Sequence, residues 1–140
     1  MRVPFEVGKR ETNGYKSYFM SLSFGANSLI CNEEELGELY EFMQEIDTAN
    51  KEIASENMSA WKLPSGLRYV KSLQKLKPNE KYPNSDQYPH HITLNLPYNQ
   101  EDGYLFSVYD EDAKKSSIDI IKKGCYVTAI IELSELLFYQ

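Results

Sequence analysis

Reactive side chains are scarce in this sequence: of 140 residues, two are histidine, two cysteine and one tryptophan. His90 and His91 are neighbours, and successive strand residues point to opposite faces, so the two cannot serve one site together. With no third histidine a multi-histidine zinc site cannot be assembled, and a lone strand histidine is more often a hydrogen-bonded structural residue than a catalytic one. Cys31 and Cys125 are too few and too far apart for a metal knuckle or a disulfide framework. There is no glycine-rich loop to cradle a phosphate and no serine-centred nucleophile elbow. Asp110, Glu111 and Asp112 lack the alternating ligand spacing and distal glutamate of a calcium loop, so they read as a turn. The expectation is a protein that is not an enzyme and uses neither cofactor nor metal. Its first residues, Met-Arg-Val-Pro-Phe-Glu, lack the apolar run of a signal peptide, and no stretch is long enough to cross a bilayer. An intracellular, reducing setting without a membrane partner follows. Internal repeats and low-complexity tracts are also missing.

What is abundant is tyrosine, 11 residues beside 6 phenylalanines. Tyrosine joins an apolar ring to a polar tip and suits half-wet surfaces, although sheets favour it in any case. The net charge of −6 disfavours nucleic acid only as an average, because the charges are segregated. Residues 33–56 hold Glu33, Glu34, Glu35, Glu38, Glu41, Glu45, Asp47, Glu52 and Glu56 against Lys51 alone. Residues 62–81 reverse the sign, with Lys62, Arg68, Lys71, Lys75, Lys77 and Lys81 against Glu80. Local sign governs what a surface attracts within a Debye length of roughly 8–10 Å.

Residues 1–14, with Pro4, Gly8 and Gly14 among scattered charges, read as a flexible N-terminal arm. Residues 15–24 alternate as a strand: Lys16, Tyr18, Met20, Leu22 and Phe24 form the more apolar side, opposite Tyr15, Ser17, Phe19, Ser21 and Ser23. Asn32 is suited to cap a helix opened by three glutamates. Leu36, Leu39, Met43, Ile46 and Ile53 carry its apolar stripe to about Trp61, which we assign to the core. The acidic face of this helix is solvated and would confine any polyanion to the opposite side of the domain. Residues 67–76 are strand-like. Proline interrupts the loop that follows, and residues 91–96 form a strand with His91, Thr93 and Asn95 on one face. The cluster 99–103 turns the chain so that 104–109 pair back as a hairpin. Residues 118–139 are read as the organising element. A turn at Lys123-Gly124 leads into a long central strand with Val127, Ala129, Ile131 and Leu133 facing the core. The expected fold class is α+β, mainly β: a small antiparallel barrel over residues 15–140 with one long inserted helix.

Basic and aromatic residues interleave at Trp61-Lys62, Arg68-Tyr69-Val70-Lys71, Lys81-Tyr82 and Lys123-Gly124-Cys125-Tyr126. Single-stranded nucleic acid needs this mixture, cations for phosphates and flat rings for exposed bases. The order of elements carries a resemblance. It rests on the Leu-Ser-Phe end of the first strand, the helix segment Glu-Leu-Tyr-Glu-Phe-Met-Gln-Glu-Ile-Asp, Ala60-Trp61-Lys62 and the run from Ile92 to Pro97. Phe106 followed by Tyr109-Asp110 and the block from Ile121 to Leu133 complete it. Over residues 15–139 the chain resembles the single-stranded DNA-binding proteins of nucleo-cytoplasmic large DNA viruses, whose domain is an oligonucleotide-binding barrel. The resemblance implies coating of DNA strands without sequence preference during viral replication, recombination or repair, in an infected cell. Such proteins would continue with a Phe-Gly turn and a further strand where this sequence ends at Gln140. The edge left unpaired would invite homo-oligomers. The candidate interface is Lys71, Lys75, Lys77, Lys81, Lys122 and Lys123 for phosphates, with Tyr69, Tyr82, His91 and Tyr126 for bases. The partner is single-stranded DNA, and RNA offers the same chemistry. An alternative of another class is a protein-interaction module using the tyrosine-rich face and the acidic helix.

Overall fold

A computed structural model describes residues 1–12, 14–25, 32–80 and 83–135. Its centre is an antiparallel sheet in which β2 (Tyr15–Ser23) lies between β1 (Gly8–Thr12) and β3 (His91–Leu96). The register pairs Gly8 with Phe19 on one edge of β2, and Leu22 with Ile92 and Ser23 with His91 on the other. Gly8 is required by this pairing, since a Cβ there would stand 2.2 Å from the Phe19 ring. Single-residue bridges widen the sheet at its other end: Arg2 pairs with both Ser23 and Tyr126, and Gln74 pairs with His91. Backbone partners therefore form one row, Tyr126–Arg2–Ser23–His91–Gln74.

Alternation turns this row into two faces. The residues one step along, Cys125, Val3, Leu22, Ile92 and Leu73, point the other way, and four of those five are buried core residues. Leu22 and Val3 have no exposed surface at all, each worth about 1.5–3 kcal/mol of burial. The helix α1 (Glu33–Glu56) covers this apolar face. Asn32 caps it as expected, its side-chain oxygen accepting from the amides of Glu34 (3.1 Å) and Glu35 (3.4 Å). Met43 is the buried apolar residue of α1, flanked by half-buried Leu39 and Tyr40 packed against the same core. Two hairpins complete the described chain: β4 (Tyr98–Asn99) with β5 (Gly103–Tyr104), and β6 (Val108–Tyr109) with β7 (Lys115–Ser116). Tyr18, Tyr98, Tyr104 and Phe106 meet edge to face at centroid distances of 4.7–5.5 Å and extend the core beneath them.

The fold is thus α+β with antiparallel pairing and one long helix. Several expectations are corrected. Residues 1–14 are not a loose arm: they supply β1, the buried Val3 and Arg2 of the five-residue row. The helix ends at Glu56, capped by Asn57, rather than near Trp61, which is 46% exposed. Residues 67–76 are held by the bridge at Gln74 rather than by a full strand. The hairpin expected across 99–109 is two hairpins, turning at 100–102 and 110–114. Among the described residues, the long strand expected after Gly124 is paired only where residues 1–3 reach it. Gly124 does make the expected turn, at φ +91°. Among the described residues the strands do not close into a barrel.

Candidate nucleic-acid interface

The face of the sheet turned away from α1 is built from Arg2, Ser23, His91, Gln74 and Tyr126 in one row, continued by Ser21 with Thr93 and Phe19 with Asn95. Beyond these, Ser17 pairs with Arg10. Among the described residues that this register puts on the face, no side chain is acidic, and two are arginine. Arg10 lies over the Phe19 ring at 5.6 Å from its centroid, a cation–π pair. Arg2, Arg10, Ser17, Thr93 and Asn95 are exposed. Ser21, Ser23 and His91 are buried, and Pro89 lies close to that end, 2.8 Å from where a Cβ on Gly25 would stand. The open part therefore carries two guanidinium groups, the rings of Tyr15, Phe19 and Tyr126, and hydroxyl and amide side chains. These groups can hold phosphates, stack a base and hydrogen-bond to base edges.

The lysines fall at the two ends of this row. Lys71, Lys75 and Lys77 are exposed on the stretch that pairs at Gln74, while Lys122 and Lys123 are exposed on the turn before Tyr126. Four inter-strand steps, about 19 Å, separate the ends of the row. Lys81 and Tyr82 lie outside the described residues. Of the proposed stacking residues, Tyr126 sits half-buried on the open face. His91 is only 7% exposed, so its ring offers no stacking surface; it shares its row with Ser23 and Gln74 under the covered end of the sheet. Tyr69 is engaged elsewhere: its hydroxyl donates to Asp47 Oδ1 at 2.9 Å and accepts from Asn50 at 3.4 Å. Burial, more than the Asp47 contact, raises its pKa above the ordinary tyrosine value.

A groove of about 530 Å³ runs between α1 and residues 69–73. Its lining includes Asp47, Lys51, Glu52 and Glu56 from α1, with Tyr69, Lys71 and His90 from outside the helix. A polyanion entering it would meet those carboxylates, so the groove is the wrong place for a phosphate backbone. The helix keeps its acids on this side of the sheet, leaving the opposite face free of them.

His90 and His91 both titrate below the ordinary 6.5. Burial is the main cause for each; Lys75 and Lys71 add to it at His90, and His90 adds to it at His91. The neutral rings are favoured in the folded chain, so the unfolded chain takes up protons first as the pH falls through 6.5. The expected result is an unfolding free energy that is level above about pH 7.5 and declines toward pH 5. His91→Gln should flatten that decline in urea titrations, and Lys75→Ala should raise the His90 titration midpoint followed by NMR. A stability independent of pH over this interval would contradict the burial of both rings.

Arg2, Arg10 and Phe19 were not among the sequence candidates. The alternation of residues 15–23 had already put Phe19 among serines, and this was the available signal. The two arginines were hidden by reading residues 1–14 as an arm. The chain is similar to an uncharacterized protein of Acanthamoeba polyphaga mimivirus, 44% identical over 138 residues that cover 99% of this chain and 22% of that protein. It therefore spans about a fifth of that relative's length. No family model matches the sequence, and no solved structure matches it.

Proposed function

We propose that this chain binds single-stranded DNA without sequence preference, through the sheet face turned away from α1 and the lysines at its two ends. The observation that carries the reading is the separation of charge by the sheet. Arg2 and Arg10 share a face without acidic residues, while Glu52, Glu56 and the rest of the acidic helix lie behind it. Phosphates can then be held by Arg2 and Arg10 on the open part of the face and by the lysines at the two ends of the row beside it, with Phe19 and Tyr126 offering rings. The sheet would serve as the open half of an oligonucleotide-binding barrel. The role would be non-enzymatic strand coating during replication, recombination or repair. Likeness to a mimivirus protein supports a virus-infected cell as its setting.

The test is fluorescence anisotropy of a labelled oligo-dT at two salt concentrations, with duplex DNA as control. Salt-sensitive binding to the single strand, with duplex bound much more weakly, is expected. Absence of binding at low salt would remove this reading. It would favour a protein-binding role for the half-exposed tyrosines and the acidic helix.

A further inference from the structure

Residues 125–133 have the composition and alternation of a strand, yet among the described residues their backbone is largely without partners. Val127 exchanges hydrogen bonds with Met1 (N–O 2.7 and 2.8 Å), and the Cys125 carbonyl accepts from Val3 at 2.9 Å. The Val127 amide thus points toward Met1, and strand alternation from it turns the amides of Tyr126, Thr128, Ile130 and Glu132 outward; nearer the turn, Gly124 donates to Val3 and Cys125 to Lys122. Among the described residues no hydrogen bond reaches the backbone of residues 128–135. Ile130 is fully exposed and Leu133 is 55% exposed, whereas Val127 and Ile131 pack on the core. This is an unprotected sheet edge with an apolar inner side, the kind that recruits another strand.

We propose that this edge pairs with the same edge of a second copy of the chain, antiparallel about a two-fold axis at Ala129. Three observations select the partner and the register. A register centred on a residue of the chain itself keeps odd positions opposite odd ones, so the apolar inner sides of the two copies stay together. Centring on Ala129 sets Val127 against Ile131 and Cys125 against Leu133, which continues the core across the axis. Thr128 of one copy and Ile130 of the other then face each other across the axis, each amide donating to the other's carbonyl as an antiparallel ladder requires. The same register brings Lys123 of each copy toward Glu135 of the other, so opposite charges meet at both ends. An isologous contact of this kind closes on itself, and the open edge is used up in the dimer.

The edge can be tested without nucleic acid, so the result stands apart from the DNA reading. Sedimentation equilibrium of this chain should give a mass twice its 16.2 kDa at high concentration, dissociating on dilution. Thr128→Pro removes an outward amide at an exposed, unbonded position and should return the mass to that of one chain, with an unchanged circular dichroism spectrum. Facing Ala129 residues would lie about 4.5 Å apart between Cα atoms, within the span of a disulfide. Ala129→Cys should therefore give a covalent dimer under mild oxidation. Ile131→Cys, about 14 Å from its counterpart, should give no more than the unsubstituted chain. A single-chain mass at every concentration would overturn the proposal, and so would equal cross-linking at positions 129 and 131. Those outcomes would leave the edge to another segment of a longer protein.

Discussion

Replacing Arg2 and Arg10 together by glutamine is expected to reduce the salt slope of oligo-dT binding by about 1.4, since each phosphate held on a single strand contributes about 0.7. At fixed low salt the double variant should bind about a hundredfold more weakly, taking about 1.5 kcal/mol for each lost charge-assisted contact. Both side chains are exposed, and neither appears in an ion pair among the described residues, so the fold should tolerate the change. The comparison that gives this result its meaning is Lys71, Lys75 and Lys77 replaced together by alanine. If the strand runs from that edge over the open face, both variants lose slope, the triple variant by up to about 2.1. If only the basic edge binds, the arginine pair changes nothing, and the open face leaves the footprint. Phe19→Leu refines the test by keeping an apolar side chain against Gly8 while removing the flat ring, with an expected cost of about 1 kcal/mol in oligonucleotide binding.

Where alternation or a cap dominates, the sequence foretold the structure. Residues 15–23 and 91–96 carry clean period-two patterns and became β2 and β3 over those spans, and Asn32 opened the helix where three glutamates follow it. The failures share a cause. A strand exists only with a partner, and partners come from distant parts of the chain. The run after Gly124 is rich in β-branched residues, but among the described residues only residues 1–3 pair with it. Residues 8–12, poor in such residues, became a strand because a short turn brought them beside β2. The interface was legible only in part for the same reason. Local charge picked out Lys71, Lys75 and Lys77, whereas the face joining Arg2, Arg10 and Phe19 appears only when residues far apart in the chain come into register.

Asp47 illustrates a second kind of signal, present in the sequence but masked by its neighbours. It was grouped with the acids of a solvated helix face, yet it lies four residues after Met43 and eight after Leu39, which is the inward stripe. In the structure it is only 7% exposed. Its carboxylate accepts from the Ser72 amide at 2.9 and 3.0 Å, from the Ser72 hydroxyl at 2.8 Å and from the Tyr69 hydroxyl at 2.9 Å. With Asn50, which donates to the Tyr69 hydroxyl, this side chain fastens the stretch bearing Lys71, Lys75 and Lys77 to α1. Asp47→Ala would leave three donors without their acceptor and is expected to cost about 3 kcal/mol in unfolding free energy. That corresponds to a melting temperature lower by about 10 °C for a chain of this size. Asp47→Asn keeps the shape and one acceptor oxygen, so about half that loss is expected. Amide exchange should quicken first at residues 69–73, ahead of β2 and β3, because only their tie to the helix has been cut. An alanine variant within about 0.5 kcal/mol of the parent would mean that Leu73 and the Gln74 bridge hold the segment unaided. The lysines would then be placed by the sheet edge alone.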